Sequence, residues 1–301
     1  MREAKLFGRL ITAVVTPFDE SGEVDYRRFA DLVDFQYSNG VDSLCVCGTT
    51  GESPTLTAEE KLALFAQSVL LSRGRGGVIA NIGSNNTAAS VSFAREAAAL
   101  GVDGVMAVVP YYNKPSQEGM FQHFKAIAEA VPRTTVVIYN IPGRSVVGLE
   151  APTMLRLMQA CPNVRAMKEA AIDPEMDREV LASAPEGFEM FSGNDDKTLD
   201  MMGYGVSGVI STTSNVAPAQ MAEMVDSFAA GDVAAARAAH DRLDPLMKGL
   251  FRAPNPTLVK EALRLAGRPV GGLRLPLVQA SAQESDFIRG VMLGCGVEVK
   301  A

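Results

Sequence analysis

The 301-residue sequence is poor in the residues that most often bind metals or form disulfides. It contains only two histidines, His123 and His240, and four cysteines, Cys45, Cys47, Cys161 and Cys295. Neither histidine lies near other candidate ligands, which argues against a zinc site. Four cysteines make no disulfide framework for a chain of this length. Cys45 and Cys47 lie two apart in an apolar strand and so share a face, and we interpret them as buried thiols rather than a redox or metal pair.

Long apolar runs and an excess of positive charge are also absent. No apolar run approaches the roughly 20 residues that span a bilayer, so we expect no membrane segment. The short apolar run near the start lacks a small-residue cleavage site, which predicts a cytoplasmic protein. Lysine and arginine number 28 against 35 aspartates and glutamates, and no stretch gathers them into a basic stripe. This balance argues against nucleic-acid binding, and an anionic substrate would need local cationic groups.

Eight short apolar segments alternate with helical patterns from near the start to about residue 225. They are near-continuous in apolar residues, as expected of parallel strands that are buried on both faces. They lie at 10–15, 43–47, 77–82, 104–109, 135–140, 164–168, 188–192 and 208–211. Helix signals between them include a capping box from Thr57 to Glu60 and an N-cap at Asp173 followed by Pro174. Eight such alternations predict a (β/α)8 TIM barrel.

A doubly wound open sheet is the alternative fold for alternating strands and helices. It would be favoured by a G-x-G-x-x-G turn after a strand, and the turn GTTGES at 48–53 does not fit that pattern. After residue 225 the strand signals stop, and helical stretches follow without a low-complexity linker. We therefore predict a barrel over residues 1–225 and a C-terminal helical layer over residues 226–301 that packs on it.

A lysine stands at the end of the sixth predicted strand, where TIM barrels carry their active sites. The apolar setting of Lys168 disfavours the charged form of an amine. A neutral amine can attack a carbonyl and form a Schiff base, which is an electron sink for making or breaking C–C bonds. The alternative is a structural ion pair of Lys168 with Glu169 or Asp195. The residues at the neighbouring strand ends favour the catalytic interpretation.

Two further strand ends, those of the fifth and the second strand, carry groups that such chemistry needs. Tyr139 closes the fifth strand and can act as a general acid–base, although a packed tyrosine bonded to backbone is the simpler interpretation of that residue alone. Thr49 and Thr50 lie between two glycines in a turn suited to a carboxylate, and many such turns bind nothing. Arg144 suits bidentate recognition of a second carboxylate, and a solvated surface arginine is equally consistent with its position.

The order and spacing of several short motifs resemble the pyruvate-dependent class I aldolases of the N-acetylneuraminate lyase type. The likeness runs over nearly the whole chain, through AVVTPF, GTTGES, PYYNKPSQEG, YNIPGR, KEA, SGNDD, GVIS and a late PNP. It implies a TIM barrel in which pyruvate forms a Schiff base with Lys168, without a metal or organic cofactor. It also implies that further residues move protons (Tyr139, Thr49, Tyr112) or bind pyruvate (Thr50, Gly193, Ile210). In this family the tyrosine at the position of Tyr112 reaches into a neighbouring subunit, which implies a homodimer or homotetramer.

Arg144 distinguishes the branches of this family. In the branch that joins pyruvate to L-aspartate-4-semialdehyde, on the route to diaminopimelate and lysine, this arginine receives the carboxylate of the aldehyde. Relatives that cleave N-acetylneuraminate or 2-keto-3-deoxy sugar acids generally lack it. The resemblance therefore implies the condensing branch, with a pyruvate-releasing lyase as the alternative. A catalytically silent barrel that binds a keto acid as a sensor is a further alternative, against which Lys168 and Tyr139 both argue.

The resemblance also predicts weak or absent feedback inhibition by lysine. Inhibited members usually have histidine at the position of Lys61 and glutamate at that of Ala89, whereas Ser53, Asn85 and Tyr111 are kept here. A like charge at position 61 and the loss of a carboxylate at position 89 both oppose binding of the lysine amine. We expect no inhibition at micromolar lysine in a steady-state assay, and inhibition in that range would contradict the prediction.

Overall fold

The sequence folds as eight parallel strands that close into a barrel, in a computed structural model that describes residues 6–300. The strands are β1 (Leu10–Ala13), β2 (Ser43–Val46), β3 (Gly77–Asn81), β4 (Gly104–Val108), β5 (Thr135–Asn140), β6 (Val164–Glu169), β7 (Glu189–Ser192) and β8 (Gly208–Ser211). Each strand pairs with its neighbours in sequence, and β8 pairs with β1. The predicted TIM barrel is confirmed.

Helices connect and cover the strands. They are α1 (Tyr26–Ser38), α2 (Ala58–Ser72), α3 (Thr87–Ala99), α4 (Gln117–Ala130), α5 (Pro142–Ser145), α6 (Ala151–Ala160), α7 (Pro174–Ser183), α8 (Thr198–Met202), α9 (Pro218–Ala229), α10 (Val233–Gly249), α11 (Thr257–Leu265) and α12 (Ala282–Gly294). The capping box from Thr57 to Glu60 begins α2, and Asp173 caps α7 ahead of Pro174, as predicted. Within residues 6–300, no helix is long and apolar enough to cross a membrane.

The first four strands end one or two residues earlier than the sequence predicted, and β2 shows why. Cys47 has a φ of 55°, so the chain leaves β2 after Val46 and turns. Cys45 therefore packs inside the barrel, 4.0 Å from the sulfur of Met106, whereas Cys47 packs in the outer core. The expectation that the two cysteines share a face is wrong, because strand alternation stops between them. Both are buried, and burial raises the pKa of each thiol, that of Cys45 to about 11.

Alternation along β5 and β6 decides which side chains face the barrel interior. Tyr139 pairs in register with Lys168, and Asn140 pairs with Glu169. Tyr139 belongs to the interior cluster together with Ala166 of β6, while Met167 belongs to the outer core. Because successive side chains of a strand point to opposite faces, Lys168 faces inward and Glu169 faces outward.

The C-terminal layer consists of helices that pack on one another and on the barrel. Helix α10 lies against α9, and α12 lies against both α10 and α11. The division proposed after residue 225 falls inside α9, so one continuous helix joins the two parts.

A buried ion pair ties this layer to the turn after β2. Lys260 Nζ of α11 lies 2.6 Å from Oε1 of Glu52, and both side chains are almost fully buried. The backbone N–H of Arg274 donates to the other oxygen of Glu52, at 3.1 Å, and the Arg274 guanidinium binds Glu60 at the start of α2. Burial lowers the pKa of Lys260 to about 8, against the opposing effect of Glu52. The C-terminal layer thus holds the turn that carries the two candidate threonines.

Removing the cation of this pair should destabilise the protein strongly. Lys260→Met leaves Glu52 charged and buried without its partner, which costs about 3–5 kcal/mol of unfolding free energy. Lys248→Met is the matched control, because it removes an exposed pair with Asp244 at 2.8 Å and should change stability far less. Chemical denaturation of the two variants checks this, and equal losses would contradict it.

Candidate active site

The candidate site is centred on Lys168 and Tyr139 at the carboxyl ends of β6 and β5. Lys168 is 6% exposed, and its Nζ lies 4.6 Å from the centroid of the Tyr139 ring. An ion pair requires an oxygen within 4.0 Å of the nitrogen. In the part of the chain that the structure describes, no carboxylate oxygen lies that close to Nζ of Lys168. The alternative of a structural ion pair with Glu169 or Asp195 is therefore wrong.

Asp195 is engaged elsewhere. Its Oδ2 accepts hydrogen bonds from the backbone N–H of Thr212 and Thr213, at 3.1 and 2.8 Å, and from the Thr213 hydroxyl at 2.7 Å. Burial raises the pKa of Asp195, and these hydrogen bonds oppose the rise. The Asp195 carboxylate therefore links the chain after β7 to the chain after β8 at the wall of the site. It does not pair with Lys168.

Glu169 has partners on the outer side of the strand. Its Oε2 accepts from Nδ2 of Asn140 at 2.9 Å, and its Oε1 accepts a short hydrogen bond from the N–H of Ala171. Burial raises the pKa of Glu169 to about 7, while these two hydrogen bonds lower it and the nearby charge of Asp177 adds to the rise. Glu169 is thus a buried hydrogen-bond acceptor behind the lysine.

Gly193 lies beside the stem of Lys168, and Ile210 lies in the interior of the barrel. A Cβ at Gly193 would meet the Cβ of Ala170 at 2.6 Å, the carbonyl oxygen of Glu169 at 3.0 Å and Cε of Lys168 at 3.3 Å. A glycine is therefore needed for the chain after β7 to approach β6 this closely. Ile210 is fully buried in the interior cluster that contains Tyr139.

The two threonines of the turn after β2 take different positions. Thr50 is 3% exposed, and its Oγ1 accepts from Nδ2 of Asn255 at 2.9 Å and lies 3.3 Å from Oγ1 of Thr212. With Asn255 donating to it, the Thr50 hydroxyl has its own proton free for Thr212 or for a ligand. Thr49 is half-buried and lines the open cavity of the barrel mouth together with Tyr139.

A cavity of about 550 Å³ leads to this site. Its wall includes Thr49, Tyr139 and the exposed Arg144 on one side. The rest of its wall includes four of the five residues considered above for binding of lysine, which are Ser53, Lys61, Ala89 and Tyr111. Burial lowers the pKa of Lys61. The cavity wall does not include four of the candidate residues, which are Lys168, Thr50, Gly193 and Ile210. The cavity therefore meets the candidate site at Tyr139 and Thr49, which do line it.

Arg144 lies in the short helix α5. Pro142 occupies the first turn of this helix, where a missing N–H is tolerated. The Ser145 hydroxyl donates to the carbonyl oxygens of Ile141 and Val147, at 2.9 and 2.7 Å. This turn places Arg144 at the cavity wall.

Among the predicted site residues, Tyr112 alone lies away from the rest of the candidate site in this single chain. It is 88% exposed, has a φ of 72° and does not line the cavity, whereas Tyr111 does. A positive φ is uncommon for a bulky residue, so the loop holds this ring outward at a conformational cost.

Comparison with known proteins places the chain in one family. The sequence profile of the Dihydrodipicolinate synthetase family matches residues 6–292. The chain belongs to this family. A relative from Bacillus subtilis named 4-hydroxy-tetrahydrodipicolinate synthase is 49% identical over 92% of this chain and 96% of its own length. One of the same name from Symbiobacterium thermophilum is also 49% identical, over 97% of this chain and 99% of its own.

Solved structures agree with this assignment to the Dihydrodipicolinate synthetase family. The DHDPS of Cyanidioschyzon merolae, solved with lysine bound, superposes with a TM-score of 0.95 at 40% identity, over 98% of this chain and all of that one. The expectations of an enzyme of this family and of a TM barrel with C-terminal helices are confirmed. Across residues 6–300, no group of three or more His, Cys, Asp or Glu side chains could hold a metal ion.

Sequence reasoning missed several residues that shape the site. Asn140 could have been found, because it is a polar residue directly after Tyr139 at the end of a buried strand. Asn255 carried no such signal, since its contact with Thr50 spans 205 residues. The partnership of Glu52 with Lys260 is likewise long-range and needs the folded chain to appear.

Glu169 should make stability depend on pH. Below its ordinary pKa of 4.5 it is protonated in both states, and between 4.5 and about 7 the unfolded chain loses the proton first. The folded state then binds more protons, so the unfolding free energy falls as pH rises, by roughly 3 kcal/mol in all. Glu169→Gln removes this titration. We expect the stability of the wild type to fall relative to that of the variant between pH 4.5 and 7, and parallel curves would contradict this.

Proposed function

We propose that this chain condenses pyruvate with L-aspartate-4-semialdehyde through a Schiff base on Lys168, giving 4-hydroxy-tetrahydrodipicolinate on the route to diaminopimelate and lysine. The observation that carries the proposal is the in-register pair of Lys168 and Tyr139, with a buried amine 4.6 Å from the phenol ring and no ion-pair partner among residues 6–300. The printed names of the relatives support the same activity.

The first step joins pyruvate to the lysine. The Lys168 amine attacks the keto carbon of pyruvate, and the carbonyl oxygen leaves as water once it has been protonated. Tyr139 is the proton carrier, backed by Thr49 on the same cavity wall. The Thr50 hydroxyl binds the pyruvate carboxylate, and Gly193 brings the chain after β7 close to the stem of Lys168.

The second step forms the new C–C bond. The iminium accepts the electron pair of a methyl C–H bond as that proton leaves, which gives an enamine. The enamine carbon attacks the aldehyde carbon of the second substrate, and the aldehyde oxygen is protonated to a hydroxyl. Arg144 at the cavity wall holds the carboxylate of that substrate. The substrate's own amine then attacks the iminium carbon and displaces Lys168. The imine itself supplies the electron sink, so the proposed reaction uses no metal or organic cofactor.

The exposed Tyr112 suggests how the active form is assembled. A ring that is 88% exposed and held outward at positive φ is placed to enter a second copy of the chain. In the proposal it completes the proton relay of that copy, and the active form is a homodimer or homotetramer.

Borohydride reduction in the presence of pyruvate should label one lysine. Reduction of the iminium fixes the three-carbon unit of pyruvate on Lys168, because the proposed Schiff base forms on that amine. Mass spectrometry of the digested protein locates the adduct. We expect it on Lys168 and expect none in Lys168→Arg, whereas an unmodified Lys168 in the wild type would refute the proposal.

Turnover distinguishes the condensing enzyme from a lyase. The wild type should consume pyruvate only when L-aspartate-4-semialdehyde is supplied, and it should cleave N-acetylneuraminate and 2-keto-3-deoxygluconate far more slowly. Faster release of pyruvate from either sugar acid, with Lys168 still labelled, would assign the alternative activity to the same Schiff base.

A further inference from the structure

Directly behind the lysine and the tyrosine lie two buried polar residues that the proposed chemistry does not use. Glu169 is fully buried and Asn140 is 1% exposed. They pair in register one position beyond Lys168 and Tyr139, on the opposite face of the same two strands. Asn140 Nδ2 donates to Glu169 Oε2 at 2.9 Å. A side-chain bond therefore joins β5 to β6 at the position where both strands leave the barrel.

The same pair also holds the segment that carries Arg144. Asn140 Oδ1 accepts the N–H of Leu149 at 2.9 Å, which closes the segment from Ile141 to Leu149 back onto β5. Gln117 of α4 supports the closure by donating to the carbonyl oxygen of Gly148 at 2.8 Å. A change at Asn140 would therefore reach Arg144 through the backbone, without any contact between the two side chains.

The donor and acceptor order of this chain of bonds is fixed. Two backbone N–H groups, of Ala171 and Leu149, enter it from its two ends. Leu149 requires an oxygen on Asn140, so the NH2 of Asn140 faces Glu169, and both oxygens of Glu169 must then accept. With a carboxylate at 169 and an amide at 140, each N–H group in this chain of bonds faces an oxygen. With amides at both positions, one NH2 group would face the other.

We infer that Glu169 and Asn140 are positioning residues, which together set the separation of Lys168 and Tyr139 and the reach of Arg144. The inference rests on the function proposed above, since it assigns to the pair the placement of the reacting lysine, its proton carrier and the holder of the second substrate. Misplacement of such groups by about 1 Å costs on the order of 10²-fold in rate.

An exchange of the two side-chain types tests the inference. Glu169→Gln places two amides opposite each other, so that an NH2 donor faces another NH2 donor. Asn140→Asp places two carboxylates opposite each other, so that no donor lies between them. The double variant Glu169→Gln/Asn140→Asp reverses the pair: the new amide at 169 accepts from Ala171 and donates to the new carboxylate at 140, which still accepts from Leu149. One buried carboxylate remains, so charge is conserved.

Steady-state kinetics with both substrates provide the readout, at about pH 8, above the pKa of Glu169 of about 7. We expect each single variant to lose about 10- to 100-fold in kcat/KM for the aldehyde, with KM for the aldehyde rising and pyruvate labelling of Lys168 slowed. The double variant should regain most of the loss. Asp177→Asn is the matched control, because it removes another buried carboxylate, bonded to the Tyr204 hydroxyl at 2.7 Å, and should leave both KM values unchanged.

Two results would overturn the inference while the proposed function stands. One is a single variant with wild-type kcat and KM, and the other is a double variant no more active than the singles, each with the wild type still labelled by pyruvate and borohydride. An unlabelled wild type would instead remove the function and the inference with it. If either single variant fails to fold, Glu169→Asp keeps the charge and shortens the reach, and its KM for the aldehyde provides the single-site measurement.

Discussion

The in-register pairing of β5 with β6 inside a closed barrel is the constraint on which the site depends. It places Tyr139 beside Lys168 on the inner face and Asn140 beside Glu169 on the outer face. The inner pair carries the proposed chemistry, and the outer pair carries the hydrogen bonds that join the two strands. Because a strand alternates its side chains, both pairs are fixed by the same register, and a slip of one residue would exchange them.

The C-terminal layer supplies a second constraint at the opposite wall of the site. Its Lys260 and Arg274 hold Glu52, and its Asn255 holds Thr50, so the turn after β2 is bound from the side remote from β6. An isolated barrel would lack these contacts. The layer therefore supports the candidate active site as well as the fold.

The sequence predicts the barrel and the candidate site residues at its strand ends, because both follow from local patterns. Continuous apolar segments give buried parallel strands, and strand-end residues such as Lys168 and Tyr139 meet wherever such strands close. The sequence pattern could not predict the role of Glu169, because its partner Asn140 lies on another strand. It could not predict the role of Asn255 either, because the contact of Asn255 with Thr50 is long-range. It also misplaced Cys47, because a positive φ ended β2 early.

Exchange of the methyl protons of pyruvate for deuterium tests the Schiff-base chemistry most directly. Proton NMR would follow the methyl signal in D2O with the protein present and the aldehyde omitted. An enamine on Lys168 must release and regain these protons, so the signal should decay with the wild type and persist with Lys168→Arg. Binding of pyruvate by the wild type with an undiminished methyl signal would contradict an imine on Lys168 and would leave a barrel that binds a keto acid without activating it.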